Sequence, residues 1–372
     1  MARPEVVVGW LLGADLRDPE LLAAYELARE RVRELLAEAL PEFEWKSPYA
    51  ERRVHLPRGG LDPVGLLEMG VDEKLHRRWD FAIVIVPNEL IPRHRPYALG
   101  LSSRALEVAV LSTSRLSTGE RLVEEITALA LHFLGHLFGL EHAGAGPMRP
   151  VLEPGDLVPE PYRPGEIAQI RAYLKRVVIT RLEEESERWN AVSFYLETLR
   201  QDPGSVFRQV LEHAPWRLPL YLGRFTAAAA VSTVYLVITS DAWALAASLP
   251  PAGIVGFTLV ALLFSTFFLF HGQDLGRLGH ERTWREQLAR TRIVLFLTLG
   301  LGMLSLWALV FALTLAAGAA LPRSLLLQWA GRDAVLPFAG FAAALGVVAA
   351  AMGGNLEEEA EIKAELFIDE ED

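Results

Sequence analysis

Apolar positions along the first half of the chain follow two periods. Spacings of three and four residues are typical of amphipathic helices, and short unbroken apolar runs are typical of buried strands. We therefore predict an α/β fold for residues 1–187, a mixed sheet with helices packed on it. The predicted elements, in chain order, are a strand over 6–12, helices over 19–39 and 61–78, a strand over 81–86, two edge strands over 98–103 and 106–111, and helices over 118–138 and 165–187.

The second half of the chain differs, because charged residues disappear from long stretches. A helix needs about 20 apolar residues to cross the hydrocarbon core of a bilayer. We predict an all-α transmembrane domain at 218–354 with about four helices, and a large buried helical core is the alternative. The charge-free stretches are 225–240, 242–270, 293–322 and 334–355, and the predicted spans are 219–243, 251–271, 293–317 and 334–353.

The arginines predict an orientation in the membrane. Five of them lie in the loop 272–292, and Arg217 and Arg224 lie at the start of the first span. Because positively charged loops stay on the cytoplasmic side, we expect this loop and the N-terminal domain in the cytoplasm. An even number of spans returns the acidic C-terminal tail, 355–372, to the same side. We expect this tail to be a solvated segment that could dock a partner.

Two further segments complete the predicted organisation. Residues 188–217 are expected to form a helical connector between the two domains. The apolar run at 6–12 is too short for a secretory signal, so no signal peptide is expected. Asp241 is the only carboxylate within 225–270. It lies near a span end and close to Trp243, which favours an interfacial position over a functional intramembrane acid.

Composition limits the partners that the chain can bind and the kinds of site that it can form. The net charge is −11 and there is no cysteine. An acidic chain argues against nucleic acid as a partner. Without cysteine the chain can form no disulfide framework and no thiolate site, which fits a cytoplasmic domain. The expected partners are the lipid bilayer and a peptide or protein, and the oligomeric state stays open.

Three of the nine histidines lie within eleven residues, at 132, 136 and 142. His132 and His136 are one helical turn apart and project from the same face. Gly139 can end the helix in the left-handed conformation, so that the chain turns back and His142 reaches the same point. Three imidazoles bind zinc and leave a fourth position open, as in catalytic sites. The alternative is three histidines that bind no metal.

Other histidines and carboxylates near this segment are expected to play no part in it. His76 and His94 are single histidines among arginines and are expected at the surface. Glu124 and Glu125 lie about 10 Å upstream along the helix and are expected on a solvated face. Glu141 lies in the turn before His142, and it is the candidate substitute for a missing general base.

Phe133 occupies the position at which HExxH zinc sites carry a glutamate. That glutamate accepts a proton from the zinc-bound water and later delivers it to the leaving group. General acid–base catalysis of this kind contributes typically about 10²–10⁴-fold to a rate. Phenylalanine can take neither role, so the pattern keeps the metal ligands and lacks the base.

Residues 132–142 resemble the HExxHxxGxxH signature of the metzincin clan of zinc metallopeptidases, with Phe133 as the departure. In that clan a methionine turn lies under the zinc site, and Met148, six residues after His142, matches it. The short gap and the upstream α/β half are similar to the archaemetzincin branch, over roughly residues 5–185. Archaemetzincins usually carry cysteines for a second zinc site. Ala143 stands at the first of those positions, so the resemblance implies a single Zn²⁺ site.

Three functions are compatible with these features. The chain could be a pseudopeptidase, a metzincin-like domain that binds zinc and peptide at the cytoplasmic membrane face without cutting. It could be an active membrane-anchored zinc metallopeptidase that uses a non-standard base. It could also be a membrane transport or assembly factor whose soluble domain is regulatory. The missing glutamate favours the first hypothesis.

Overall fold

The structure is a computed structural model, and it divides the chain into two compact units. The first comprises Met1–Trp189, Leu278–Leu288 and Phe367–Asp372, and the second comprises Asn190–Arg277 and Ala289–Leu366. The residues that the structure describes are 3–13, 19–52, 60–92, 96–151, 154–179, 195–197, 199–200, 203–212, 214–221, 223–272, 286–329, 332–354, 363, 368 and 370–371.

The first unit is built on a mixed seven-stranded sheet. The strands are β1 (Glu5–Gly13), β2 (Glu44–Lys46), β3 (Tyr49–Arg52), β4 (Phe81–Val86), β5 (Gly100–Ser103), β6 (Val108–Ser112) and β7 (Glu370–Glu371). Their order in the sheet is β2-β1-β4-β6-β5-β7, and β3 also pairs with β1. Strands β1, β2, β3, β4 and β6 run in one direction, whereas β5 runs antiparallel to β6 and to β7.

Four helices belong to the same unit. They are α1 (Pro19–Ala39), α2 (Pro63–Arg77), α3 (Glu120–Leu137) and α4 (Pro164–Ile179). From Ile126 to Leu137 every residue of α3 is buried, because this helix lies between the sheet and the chain that follows it. Its burial on all sides explains why its sequence is apolar almost all round. The α/β fold predicted for this half is confirmed.

The sequence prediction missed two strands and misplaced a third. In β2 and β3 only the central residues, Trp45 and Ala50, are buried, and the flanking charged residues hide the strand pattern. Strand β6 was expected at an edge, but it lies between β4 and β5. All five of its residues are buried, as expected for an interior strand.

The acidic tail also differs from the prediction. Glu370 and Glu371 form the short strand β7, which pairs with β5. Glu371 is only 9% exposed, so this part of the tail is not a solvated segment.

The second unit is helical. The helices are α5 (Pro203–Glu212), α6 (Leu218–Tyr221), α7 (Gly223–Val237), α8 (Ser240–Ser248), α9 (Pro251–Gly272), α10 (Glu286–Ala320), α11 (Arg323–Trp329) and α12 (Val335–Gly354). Gly346 of α12 packs closely against Thr233 of α7. Such contacts between small residues let membrane helices approach each other.

Three of these helices are long and apolar enough to cross a membrane: Pro251–Gly272, Ala289–Ala320 and Val335–Gly353. Within the described residues, the count reaches four only if Val206–Leu220 and Phe225–Val237, which meet at 53°, are taken as one bent span. The predicted span 219–243 is therefore not a single straight helix. It is interrupted after Val237, and Thr239 precedes the new helix α8 as its N-cap.

The outer surface of the helical unit is apolar. Its residues that are more than half exposed include Val231, Val234, Leu259, Leu263, Phe267, Leu313 and Leu336. Exposed apolar patches of this kind are typical of surfaces that contact a membrane or another protein. Trp243 is instead buried, where it stacks on Phe338 with ring centroids 3.8 Å apart, and the neighbouring Asp241 is exposed in the first turn of α8.

Candidate metal centre

The fold brings the three histidines of the 132–142 segment together. One ring nitrogen from each of His132, His136 and His142 lies within 4.8 Å of the others. His132 and His136 are 1% and 8% exposed, and His142 is half-buried. Two donors are thus fixed in the protein interior, and the third lies toward the solvent.

Hydrogen bonds fix the tautomers of the two helical histidines. Nδ1 of His132 donates to the carbonyl oxygen of Pro147 over 2.7 Å, and Nδ1 of His136 donates to that of Leu140 over 3.1 Å. A carbonyl oxygen can only accept, so both Nδ1 atoms carry hydrogen. In neutral rings each Nε2 is then left with a lone pair, as zinc-ligating histidines require.

The two Nε2 atoms face each other at 3.1 Å. Two lone pairs at this distance repel each other unless a cation, a metal ion or a proton, lies between them. Two nitrogens bound to one tetrahedral zinc ion at about 2.0–2.1 Å are separated by about 3.3 Å. The spacing of the pair and its hydrogen bonds therefore fit a zinc ion.

Gly139 produces the reversal that brings His142 back. Its φ is +88°, in the left-handed region, and its N–H donates to the carbonyl of His136. Leu140 N–H then donates to the carbonyl of Gly135, which closes the end of the helix. The same turn places the Leu140 carbonyl on the His136 ring, so one glycine positions two of the three donors.

Met148 packs against helix α3 at Gly135, the residue before His136. It is fully buried, and a Cβ atom on Gly135 would lie only 2.1 Å from its Sδ. The loop is closed by a hydrogen bond from Ala143 N–H to the Met148 carbonyl over 2.7 Å. This closure also presents the neighbouring Pro147 carbonyl to His132.

Phe133 is buried on the opposite flank of α3. Its side chain is 0% exposed, and its ring meets the ring of His132 edge-on with centroids 5.3 Å apart. It packs against the backbone of β5, because a Cβ on Gly100 would lie 2.4 Å from Phe133 Cε2. The residue after the first histidine is therefore an apolar ring that packs between His132 and strand β5.

The nearby carboxylates are not part of the histidine group. Glu141 is exposed. Within the described part of the chain, the metal-binding group contains histidines alone and no carboxylate. Glu124 is exposed as expected, but Glu125 is buried, and its carboxylate accepts hydrogen bonds from the N–H and hydroxyl of Ser117. Glu125 thus anchors the segment before α3 and does not lie on a solvated face.

Sequence reasoning missed two residues that support the site. Gly135 leaves the room that Met148 occupies, and the close spacing of Gly135 and Gly139 was the available signal. Tyr162 lies against Gly135 and donates its hydroxyl to the carbonyl of Leu131. Burial, and then the charge of Glu166, raises the pKa of Tyr162 well above its ordinary range.

His76 is exposed as predicted, and His94 lies outside the described residues.

Comparison with known proteins gives structural neighbours only. No family model matches the chain, and no curated protein matches it. Among solved structures, the chain is similar to an archaemetzincin from Methanopyrus kandleri, with 22% identity, a TM-score of 0.38, and coverage of 46% of this chain and 97% of that one. A zinc-dependent peptidase from Methanocorpusculum labreanum gives 16% identity, a TM-score of 0.34, and coverage of 44% and 99%. An archaemetzincin from Archaeoglobus fulgidus, complexed with malonate, gives 18% identity, a TM-score of 0.32, and coverage of 44% of this chain and 99% of that one.

Proposed function

We propose that the first unit binds one zinc ion through His132, His136 and His142 and holds peptides without hydrolysing them. One observation carries this proposal: two Nε2 atoms 3.1 Å apart, each oriented by a carbonyl on its own Nδ1, beside a buried phenylalanine. The first part of that arrangement favours a metal. The second part removes the group that would handle protons.

The donor set would leave a coordination position open. When bound, a zinc ion with three protein ligands polarises a carbonyl oxygen and lowers the pKa of its water to about 7. His142 is the half-buried donor, so solvent reaches the histidine group on its side. The Nδ1 hydrogen bonds of His132 and His136 keep their rings in place, and the buried Met148 packs on the same helix at Gly135.

Phe133 makes this site a poor catalyst. A base must lie within hydrogen-bonding reach of the proton that it abstracts. The Phe133 ring occupies that place and offers no acceptor, and Glu141 is exposed. The side chains therefore suit binding and orientation of a peptide carbonyl, without transfer of a proton to a leaving group.

The helical unit would anchor this domain in a bilayer. Its support is the set of three to four long apolar helices and their outward-facing valine, leucine and phenylalanine side chains. The arginine-rich loop 272–292 favours a cytoplasmic location for the first unit. The partners would then be the lipid bilayer and a peptide or protein at the cytoplasmic face.

The test measures zinc content and peptide hydrolysis in parallel on the purified full chain. We expect about one zinc per chain and no turnover for the wild type, and no zinc for His136→Ala. His76→Ala, which changes an exposed histidine, is the matched control and should keep its zinc. Zinc-dependent hydrolysis by the wild type would contradict the pseudopeptidase, and a zinc-free wild type would contradict the metal site.

A gain-of-function variant tests the role assigned to Phe133. Phe133→Glu restores an acceptor beside His132, so we expect it to gain zinc-dependent hydrolysis, by about 10²-fold or more above the wild type. Phe133→Gln has the same size and no basic carboxylate, and it should stay inactive. Equal activity of the two variants would show that the missing base does not limit this site.

A further inference from the structure

Strand β5 lies between the body of the sheet and the acidic segment of the chain. On one side it pairs with β6, and on the other side Leu101 and Ser102 pair antiparallel with Glu371 and Glu370. The outer edge of β5 is thus completed by strand addition. Edges completed in this way are used by proteins that bind extended peptides.

This edge is connected directly to the candidate metal centre. Gly100 of β5 packs on the Phe133 ring, and that ring meets the imidazole of His132. The register of the added strand is Leu101 opposite Glu371. A ligand strand that continued this register by one residue would stand opposite Gly100, over Phe133. A peptide on the β5 edge would therefore run along the flank of the histidine site.

Two features of the outer edge of β5 favour pairing with a further strand. All four residues of β5 are buried, and the described strand on its outer side has two residues. The hydroxyl of Ser102, at the pairing position, is buried and has no hydrogen-bond partner within the described residues. A buried hydroxyl without a partner is unfavourable, and a polar side chain on a paired ligand strand can satisfy it.

The occupant of this edge is acidic, and its described part is short. The pairing residues are both glutamates, and Glu371 is buried in the pairing. Two residue pairs supply few backbone hydrogen bonds, and the net stabilisation from each is small. A segment of this length can be displaced by a longer peptide that makes the same bonds.

We infer that the β5 edge is a binding site for extended acidic peptides and that residues 370–371 of this chain occupy it in cis. This inference deepens the proposed function, on which it rests, by naming the ligand class and the competitor. A segment on the same chain acts at an effective concentration in the millimolar range. An added peptide must compete with it to bind.

The experiment measures binding of a fluorescent peptide with the sequence of residues 367–372 to the full chain in detergent. The first comparison is between the intact chain and a chain that stops after Leu366. Two variants separate backbone pairing from charge. Glu370→Pro with Glu371→Pro removes the strand's N–H donors, and Glu370→Gln with Glu371→Gln keeps them. Fluorescence anisotropy gives the affinities.

We expect the truncated chain and the double proline variant to bind the peptide at least about tenfold tighter than the intact chain. The double glutamine variant should stay within about threefold of the intact chain, since its backbone pairing is kept. Equal affinities for the truncated and intact chains, or no binding by the truncated chain, would overturn the inference.

A second readout keeps the test independent of peptide affinity and of zinc. Amide hydrogen exchange at residues 100–103 should be at least about tenfold faster after truncation, with exchange in α1 unchanged. Unchanged exchange at 100–103 would overturn the inference. Both readouts are repeated with His136→Ala, where the same result is expected. A wild-type chain that carries no zinc but still shows tail displacement contradicts the proposed function alone.

Discussion

The two flanks of helix α3 contact different groups. On one flank His132 and His136 are oriented by backbone carbonyls, and Met148 packs on the helix at Gly135. On the other flank Phe133 is packed into the core against the backbone of β5. Metal binding and proton transfer therefore depend on different neighbours of the same helix. One can be lost while the geometry of the other is kept.

Removal of the Phe133 ring gives the largest expected effect on stability. Phe133→Ala should lower the free energy of unfolding by about 3–5 kcal/mol, because it opens a cavity between α3 and β5. Thermal unfolding of the solubilised chain measures this change, and Phe133→Leu, which keeps most of the volume, is the control. A loss below about 1 kcal/mol would show that the apolar flank is not part of the core.

Loss of one proposed zinc ligand tests the histidine flank of α3. His136→Ala should weaken zinc binding by about two to four orders of magnitude, since about 10–16 kcal/mol of binding free energy is shared among three or four ligands. Competition with a chelator of known affinity measures this constant. His76→Ala should leave it unchanged, and an equal loss in both variants would indicate non-specific binding.

Gly135 has no side chain, which lets Met148 approach helix α3 closely. Gly135→Ala places a methyl group 2.1 Å from the sulfur of Met148 and should lower the free energy of unfolding by about 1–3 kcal/mol. This loss outweighs the gain of about 1 kcal/mol in helix propensity. If the cause is the clash with Met148, the second substitution Met148→Ala should relieve it. Denaturant unfolding of the single and double variants tests this coupling.

Tyr162 has the smallest expected effect and adds a pH dependence. Burial raises its pKa above the ordinary value of about 10, so the fold favours the neutral phenol. Its stabilising contribution is present below pH 10 and is lost as the pH rises toward the folded-state pKa. Tyr162→Phe should cost about 1 kcal/mol at neutral pH. It should also flatten the decline of stability above pH 10, and melting temperatures from pH 8 to 11 test both effects.

The sequence predicts the parts of this molecule that depend on local spacing. Helix 19–39 and strand 81–86 follow from periodicity, and the structure places them at Pro19–Ala39 and Phe81–Val86. The convergence of His132, His136 and His142 follows from helical geometry and the turn at Gly139. Each of these features is decided by residues within a few positions of one another.

Features that depend on distant contacts could not be predicted in this way. The pairing of Glu370 and Glu371 with β5 joins residues far apart in sequence, and a run of acidic residues is ordinarily solvated. The packing of Phe133 on Gly100 likewise requires the sheet to be in place. The interruption after Val237 had a local signal, because Thr239 and Ser240 are residues that favour helix starts.

A zinc site built from three imidazoles has a direct spectroscopic signature. Zinc K-edge X-ray absorption of the purified full chain should show a first shell of nitrogen and oxygen at about 2.0–2.1 Å, with the outer-shell scattering of imidazole rings and no sulfur. The signal should be absent in His136→Ala and kept in His76→Ala. A shell without imidazole scattering, or wild-type protein without zinc, would contradict a zinc site at these histidines.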